Sequence, residues 1–91
     1  MVNARALITG ASGTIGSAIA ERLAADGHSV IVHGCRNRES AEAVTQRILA
    51  MGRRATSVYF DVTDARATRS ALESLLNDGP IQIVVNNAGL H

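Results

Sequence analysis

Thr9-Gly10-Ala11-Ser12-Gly13-Thr14-Ile15-Gly16 separates a short apolar run, Arg5 to Thr9, from an amphipathic stretch, Thr14 to Ala25. The run reads as a strand and the stretch as a helix, so the chain turns from one into the other through glycines. Gly10 permits the tight turn out of the strand, Gly13 lets a ligand approach backbone with no Cβ between them, and Gly16 lets the helix pack close to the sheet. The first turn of such a helix offers unpaired N–H groups and partial positive charge to a pyrophosphate. A tight turn that binds nothing is the plainer reading, but the strand before, the helix after and the units that follow favour a phosphate loop. No Gly-Lys-Ser/Thr follows, so this is not a Walker loop.

The same alternation continues to the end of the chain. Ile15, Ala18, Ile19 and Leu23 form the expected inner face of the first helix, and Gly27 suits its left-handed cap. Ser29 to His33 reads as a second strand and Glu39 to Met51 as a second helix, with Ala41, Val44, Ile48 and Met51 inward and Gly52 as its stop. Ala55 to Phe60 is a third strand. Asp64 caps a third helix whose Ala71, Leu72, Leu75 and Leu76 should face inward, and Asn77-Asp78-Gly79-Pro80 breaks it. Ile81 to Val85 is the fourth strand. The pattern predicts an α/β fold, a Rossmann-type doubly wound parallel sheet of order 3-2-1-4 with three helices. The reversal of direction beside strand one is the switch point at which such sheets bind nucleotides. The apolar fourth strand would lie at an open edge, so residues 1–91 are expected to be the N-terminal dinucleotide-binding portion of a single larger domain.

Composition agrees with one folded unit: 91 residues, 46% apolar and 19% charged. A net charge of +1 argues against a strongly basic nucleic-acid binder. No apolar run is long enough to span a membrane, and the opening stretch is too short for an export signal. Cys35 is the single cysteine, so no internal disulfide can form, and a cytoplasmic location is expected. No His/Cys cluster has metal-ligand spacing. The nine basic residues are all arginine, so any step needing a lysine must find it outside this chain.

Three segments together resemble the short-chain dehydrogenases/reductases: Thr9 to Gly16, Asp61-Val62 after strand three, and Val85-Asn86-Asn87-Ala88-Gly89 at the end of strand four. The Asn-Asn-Ala-Gly segment points to the single-domain branch, and within that branch the chain most resembles 3-oxoacyl-[acyl-carrier-protein] reductases. The chain departs from that branch in having Thr14 where glycine is usual. Its Gly10-x-x-Gly13-x-x-Gly16 spacing is more like the extended branch, which includes sugar-nucleotide epimerases. Gln82 stands where the family often has Asp.

The resemblance implies that Gly10, Ser12, Gly13, Thr14, Ile15 and Gly16 line the cofactor phosphates, mostly through backbone. It implies that Asp61 hydrogen-bonds the adenine amino group with Val62 beside the ring, unless Asp61 merely starts a turn into Thr63-Asp64. Asn87, Ala88 and Gly89 would run along the ribose, and Asn86 would tie neighbouring strands. Cofactor choice is read from the end of strand two, where NAD enzymes place an acid. Here His33-Gly34-Cys35-Arg36-Asn37-Arg38 has none; Arg36 and Arg38 match a 2′-phosphate, which predicts NADP over NAD. Cys35 reads as inert or a ribose neighbour, and His33 as a strand-end residue. Tyr59 has no lysine four residues on and reads as core or strand surface.

In the family, a serine and a Tyr-x-x-x-Lys pair do the chemistry, and these follow the Asn-Asn-Ala-Gly segment. No catalytic residue is therefore expected in this chain. The complete protein would be an oxidoreductase that reduces a carbonyl on a small-molecule or carrier-bound acyl substrate, a 3-oxoacyl thioester of fatty acid biosynthesis, with NADP as cofactor and as a tetramer or dimer. An extended-branch sugar-nucleotide epimerase or dehydratase, or a non-catalytic nucleotide-binding remnant, are the alternatives.

Overall fold

A computed structural model of the chain describes residues 4–87. The elements are β1 (Arg5–Ile8), α1 (Thr14–Ala25), β2 (Ser29–Gly34), α2 (Arg38–Ala50), β3 (Ala55–Tyr59), α3 (Ala65–Leu76) and β4 (Ile83–Val85). The strands form one parallel sheet in the order β3-β2-β1-β4, as expected.

Alternation along the strands sorts the side chains onto two faces. Ala6, Ile8, Val30 and Val32 pack against Ala20 and Ala24 of α1 and Ala41, Val44 and Ile48 of α2. Leu7 and Ile31 point to the opposite face and are also buried. A right-handed crossover from β3 back to β4 carries α3 to that opposite face. Arg5, which shares a face with Leu7, reaches α3 there: its guanidinium donates to the carbonyls of Leu75, at 2.9 Å, and Gly79.

The expected inner faces hold at Ala41, Val44 and Ile48 of α2 and at Ile19 and Leu23 of α1, which pack against the core, and are corrected at other positions. On α1, Ile15 is 66% exposed and Ala18 also faces out, while Gly16, Ala20 and Ala24 are buried and Ile19 and Leu23 are half-buried. Close approach of helix to sheet selects the smallest residues for the contact line, so residue size outweighs hydropathy there. On α2, Thr45 is buried and satisfies its hydroxyl on the Ala41 carbonyl at 3.0 Å, while Met51 is exposed past the helix end. On α3 nothing is fully buried; Ala71, Leu72 and Leu75 are half-buried and Leu76 is exposed. A single helix covers this face of the sheet among the described residues, so it shields only part of it, and Val84 stays 62% exposed.

Local chemistry explains the boundaries. Asn37 and Asp64 cap α2 and α3, accepting the amides of Ser40 and Ala67 at 3.0 Å each. Pro80 brings no amide donor to the start of the last strand, and β4 pairs only from Ile83. Just before the register, Gln82 adds its own ties to β1: its amide donates to the Arg5 carbonyl at 3.1 Å, and its side-chain Oε1 accepts the Arg5 amide at 2.8 Å.

Candidate functional site: the glycine loop at the switch point

The loop leaves β1 at Gly10, whose φ of 64° is the left-handed conformation that favours glycine. It is held from both sides. The Ala11 amide donates to the His33 carbonyl at 2.9 Å. From β4, the Asn87 amide donates to the Thr9 hydroxyl at 2.9 Å, and the Asn87 side-chain Nδ2 donates to the Gly10 carbonyl at 3.1 Å. Asn86 contributes less, accepting the Thr9 hydroxyl at 3.4 Å. The amide that ties the strands is thus chiefly that of Asn87, whereas the sequence reading gave this task to Asn86.

The two later glycines differ in kind. A Cβ on Gly16 would fall 2.5 Å from the Gly10 carbonyl oxygen, 2.7 Å from Asn87 Nδ2 and 2.8 Å from the Ala11 Cα. Packing alone therefore demands glycine at position 16. Gly13 has an ordinary φ of −83°, and a Cβ there would meet only the Gly10 oxygen, at 3.7 Å. Neither backbone conformation nor packing within the chain requires glycine at 13. Its Cβ-free surface leaves room there for a ligand to approach.

Gly13 is also the residue before the first turn of α1, which has no side-chain cap, unlike α2 and α3. Around it Ser12 is half-buried and Thr14 and Ile15 are exposed. A glycine loop, a Cβ-free surface and an uncapped first helical turn are together the kind of surface that can cradle an anion such as a diphosphate.

The adenosine-side candidates lie at the ends of β2 and β3. Asp61 makes the turn: its Oδ1 accepts the Thr63 hydroxyl at 2.7 Å and the Thr63 amide at 2.9 Å. Those bonds, the hydroxyl's first, hold the Asp61 carboxyl below its ordinary range, and the charge of Arg36 adds to the effect. Val62, next to it in sequence, and Cys35, just past β2, are both exposed. The two arginines part company. Arg36 is exposed and acts on Asp61. Arg38 lays its guanidinium over the Tyr59 ring, 4.6 Å from the centroid. Tyr59 and Ser57 in turn donate their hydroxyls to Glu42. The candidates Ala88 and Gly89 lie outside the described residues.

Sequence reasoning read His33 only as a strand-end residue. Its side chain is buried, accepts the Gly10 amide at 2.9 Å on Nδ1 and pairs with the Phe60 carbonyl at 2.7 Å through Nε2. The available signal was a histidine ending an apolar strand next to the glycine loop. Among the described residues, no three His, Cys, Asp or Glu side chains gather as a metal site, and no helix is long and apolar enough to cross a membrane. A groove of about 570 Å³ lies at the other end of the sheet near Arg5, Ser29, Arg54 and Asp78. Volume does not locate the cradle, which is an open surface rather than an enclosed cavity.

A parallel sheet of this order, with a glycine loop at its switch point, defines a dinucleotide-binding α/β unit. The chain belongs to the short chain dehydrogenase family, whose model matches residues 4–91. It is 43% identical over 88 residues to gluconate 5-dehydrogenase from Gluconobacter oxydans (strain 621H), covering 96% of this chain and 34% of that protein. It is 37% identical over 86 residues to 3-oxoacyl-[acyl-carrier-protein] reductase FabG from Staphylococcus aureus (strain Mu50 / ATCC 700699), covering 93% of this chain and 35% of the relative. A metagenomic short-chain oxidoreductase crystallised in complex with NADP superposes with a TM-score of 0.90 at 35% identity, covering 96% of this chain and 39% of that one. The chain thus spans about a third of the length of the curated relatives it matches. The likeness is not specific to 3-oxoacyl reductases, since a gluconate dehydrogenase matches at higher identity.

Proposed function

We propose that the chain is the NADP(H)-binding portion of an oxidoreductase that reduces a carbonyl, residues 1–91 forming the first part of one larger domain. The observation that carries this reading is Gly13, a glycine the chain itself does not require, standing before the uncapped first turn of α1. Gly10, Ser12, Gly13, Thr14, Ile15 and Gly16 would cradle the diphosphate. Asp61 and Val62 would meet the adenine, Arg36 and Arg38 the 2′-phosphate with Cys35 beside the ribose, and Asn87, Ala88 and Gly89 the other ribose. When bound, the cofactor supplies the hydride. The residues of this chain bind and orient it, and they include no Tyr-x-x-x-Lys pair: the chain has no lysine, and Thr63 follows Tyr59 by four.

The Asn86-Asn87-Ala88-Gly89 segment supports the single-domain branch; within it the substrate we favour is a 3-oxoacyl thioester, supported by the likeness to FabG at 37% identity, in a cytoplasmic tetramer or dimer. The Gly10-x-x-Gly13-x-x-Gly16 spacing favours a second reading, an extended-branch epimerase or dehydratase. Titration of the chain with NADPH and NADH, followed by calorimetry, tests the cofactor assignment. Tighter binding of NADPH supports it; no binding of either dinucleotide refutes it.

A further inference from the structure

We propose that His33 is a positioning residue that joins the two halves of the nucleotide site, locking the glycine loop to the end of β3; the proposal rests on the cofactor reading above. His33 is 1% exposed and follows three buried apolar residues, Val30, Ile31 and Val32. A buried imidazole is costly unless its nitrogens are paired. Here both are. The Gly10 amide can only donate, so Nδ1, 2.9 Å away, presents its lone pair. The proton therefore sits on Nε2 and is donated to the Phe60 carbonyl at 2.7 Å. The partners thus select one neutral tautomer. The Phe60 ring packs on the imidazole with centroids 4.3 Å apart, which fixes its orientation further.

The contacts join segments that the sheet leaves separate. Gly10 opens the phosphate loop after β1, and Phe60 immediately precedes Asp61 after β3. β2 lies between those strands, so no ladder hydrogen bond can link their ends directly. His33, at the end of β2, spans the gap with one side chain, and its own carbonyl takes the Ala11 amide at 2.9 Å as a second tie to the loop. An apolar side chain at position 33 could fill the volume but would remove the partner of the Gly10 amide and of the Phe60 carbonyl. The loop and the Asp61 turn would then have to be ordered relative to each other by the ligand, at the cost of affinity.

The test compares the unsubstituted 91-residue chain with His33→Leu and His33→Asn. Asparagine keeps an acceptor near the place of Nδ1 but cannot reach the Phe60 carbonyl. Calorimetric titration with NADP+ should show binding by the folded Leu variant weakened about tenfold or more, and by the Asn variant only about threefold. A residue that merely stabilises the fold would lower the melting temperature of both variants and leave the affinity of the folded fraction unchanged; that result overturns the proposal. If the Leu variant does not fold, the Asn variant decides, and binding by it as tight as that of the unsubstituted chain overturns the proposal. Nitrogen-15 resonances of the unsubstituted chain should show a neutral His33 protonated at Nε2, with slow exchange of the Gly10 amide. Protonation at Nδ1 or fast exchange at Gly10 also overturns it. Failure of the unsubstituted chain to bind NADP+ sinks the cofactor reading and with it the positioning role, whereas the tautomer and the Gly10 exchange still report whether the clip itself exists.

Discussion

Asn87 donates its side-chain amide to the Gly10 carbonyl at 3.1 Å, so the end of the fourth strand closes on the residue that opens the glycine loop. The two residues are 77 positions apart in the chain. This contact and the steric fit of Gly16 are one feature, because a Cβ on Gly16 would strike both groups.

Removing the Asn87 amide should therefore loosen the loop. Asn87→Ala leaves the Gly10 carbonyl without this donor and is expected to cost about 1–2 kcal/mol of stability. Urea unfolding of the two proteins measures it; midpoints that coincide would contradict the assignment.

Gly16→Ala and Gly13→Ala should separate packing from binding. The first forces contacts under 3 Å and is expected to destabilise by about 1–3 kcal/mol. The second meets nothing closer than 3.7 Å and should leave the melting temperature unchanged while weakening NADPH binding about tenfold. Full NADPH affinity in Gly13→Ala would remove the main support for the cradle.

The arginines should be unequal. Arg36 is exposed and close enough to influence Asp61, whereas Arg38 is engaged on Tyr59. Arg36→Ala is expected to cut the preference for NADPH over NADH about tenfold or more. Arg38→Ala should change that preference less and lower stability by roughly 0.5–1 kcal/mol through the lost cation–π contact. A larger loss of preference from Arg38→Ala would reverse the assignment.

Acid should weaken the seam between α2 and β3. Hydrogen bonds from Ser57 first, and then Tyr59, hold the Glu42 carboxyl below its ordinary range, overcoming a small opposing effect of burial. A carboxyl whose folded pKa is depressed stabilises the fold above its unfolded value, roughly pH 4, and that contribution disappears as pH falls through the folded value. Asp61 acts in the same direction. Glu42→Gln should flatten the acid side of the stability profile while Asp61 preserves part of the slope. Profiles that overlay across the acid range would show that Glu42 is not coupled to folding.

The 91-residue chain alone should show no steady oxidation of NADPH with a 3-oxoacyl thioester, since it holds neither a lysine nor a paired tyrosine general acid. Turnover by the pure chain would refute this. The intact mass of the purified polypeptide, against 9.5 kDa, shows in the same preparation which polypeptide was assayed.

Local chemistry made much of the architecture legible. Alternating apolar runs and helical periods predicted four strands and three helices, and right-handed crossovers predicted their order. Both are present in the structure. The glycine pattern placed the loop, because tight turns and close approach leave few residue choices. The caps Asn37 and Asp64 act through neighbouring backbone, and Asp64 was readable for that reason.

What tertiary structure alone decided are relations between distant residues. Which side of α1 faces the sheet depended on how closely the helix could approach, so Gly16, Ala20 and Ala24 displaced the larger Ile15. Arg36 and Arg38 were equivalent in sequence until the Tyr59 ring took one of them. His33 looked like a strand end until Gly10 and Phe60, 23 and 27 residues away, claimed its two nitrogens. Periodicity and turn chemistry are local and can be read along the chain, whereas a hydrogen bond between two loops exists only once the sheet has brought those loops together.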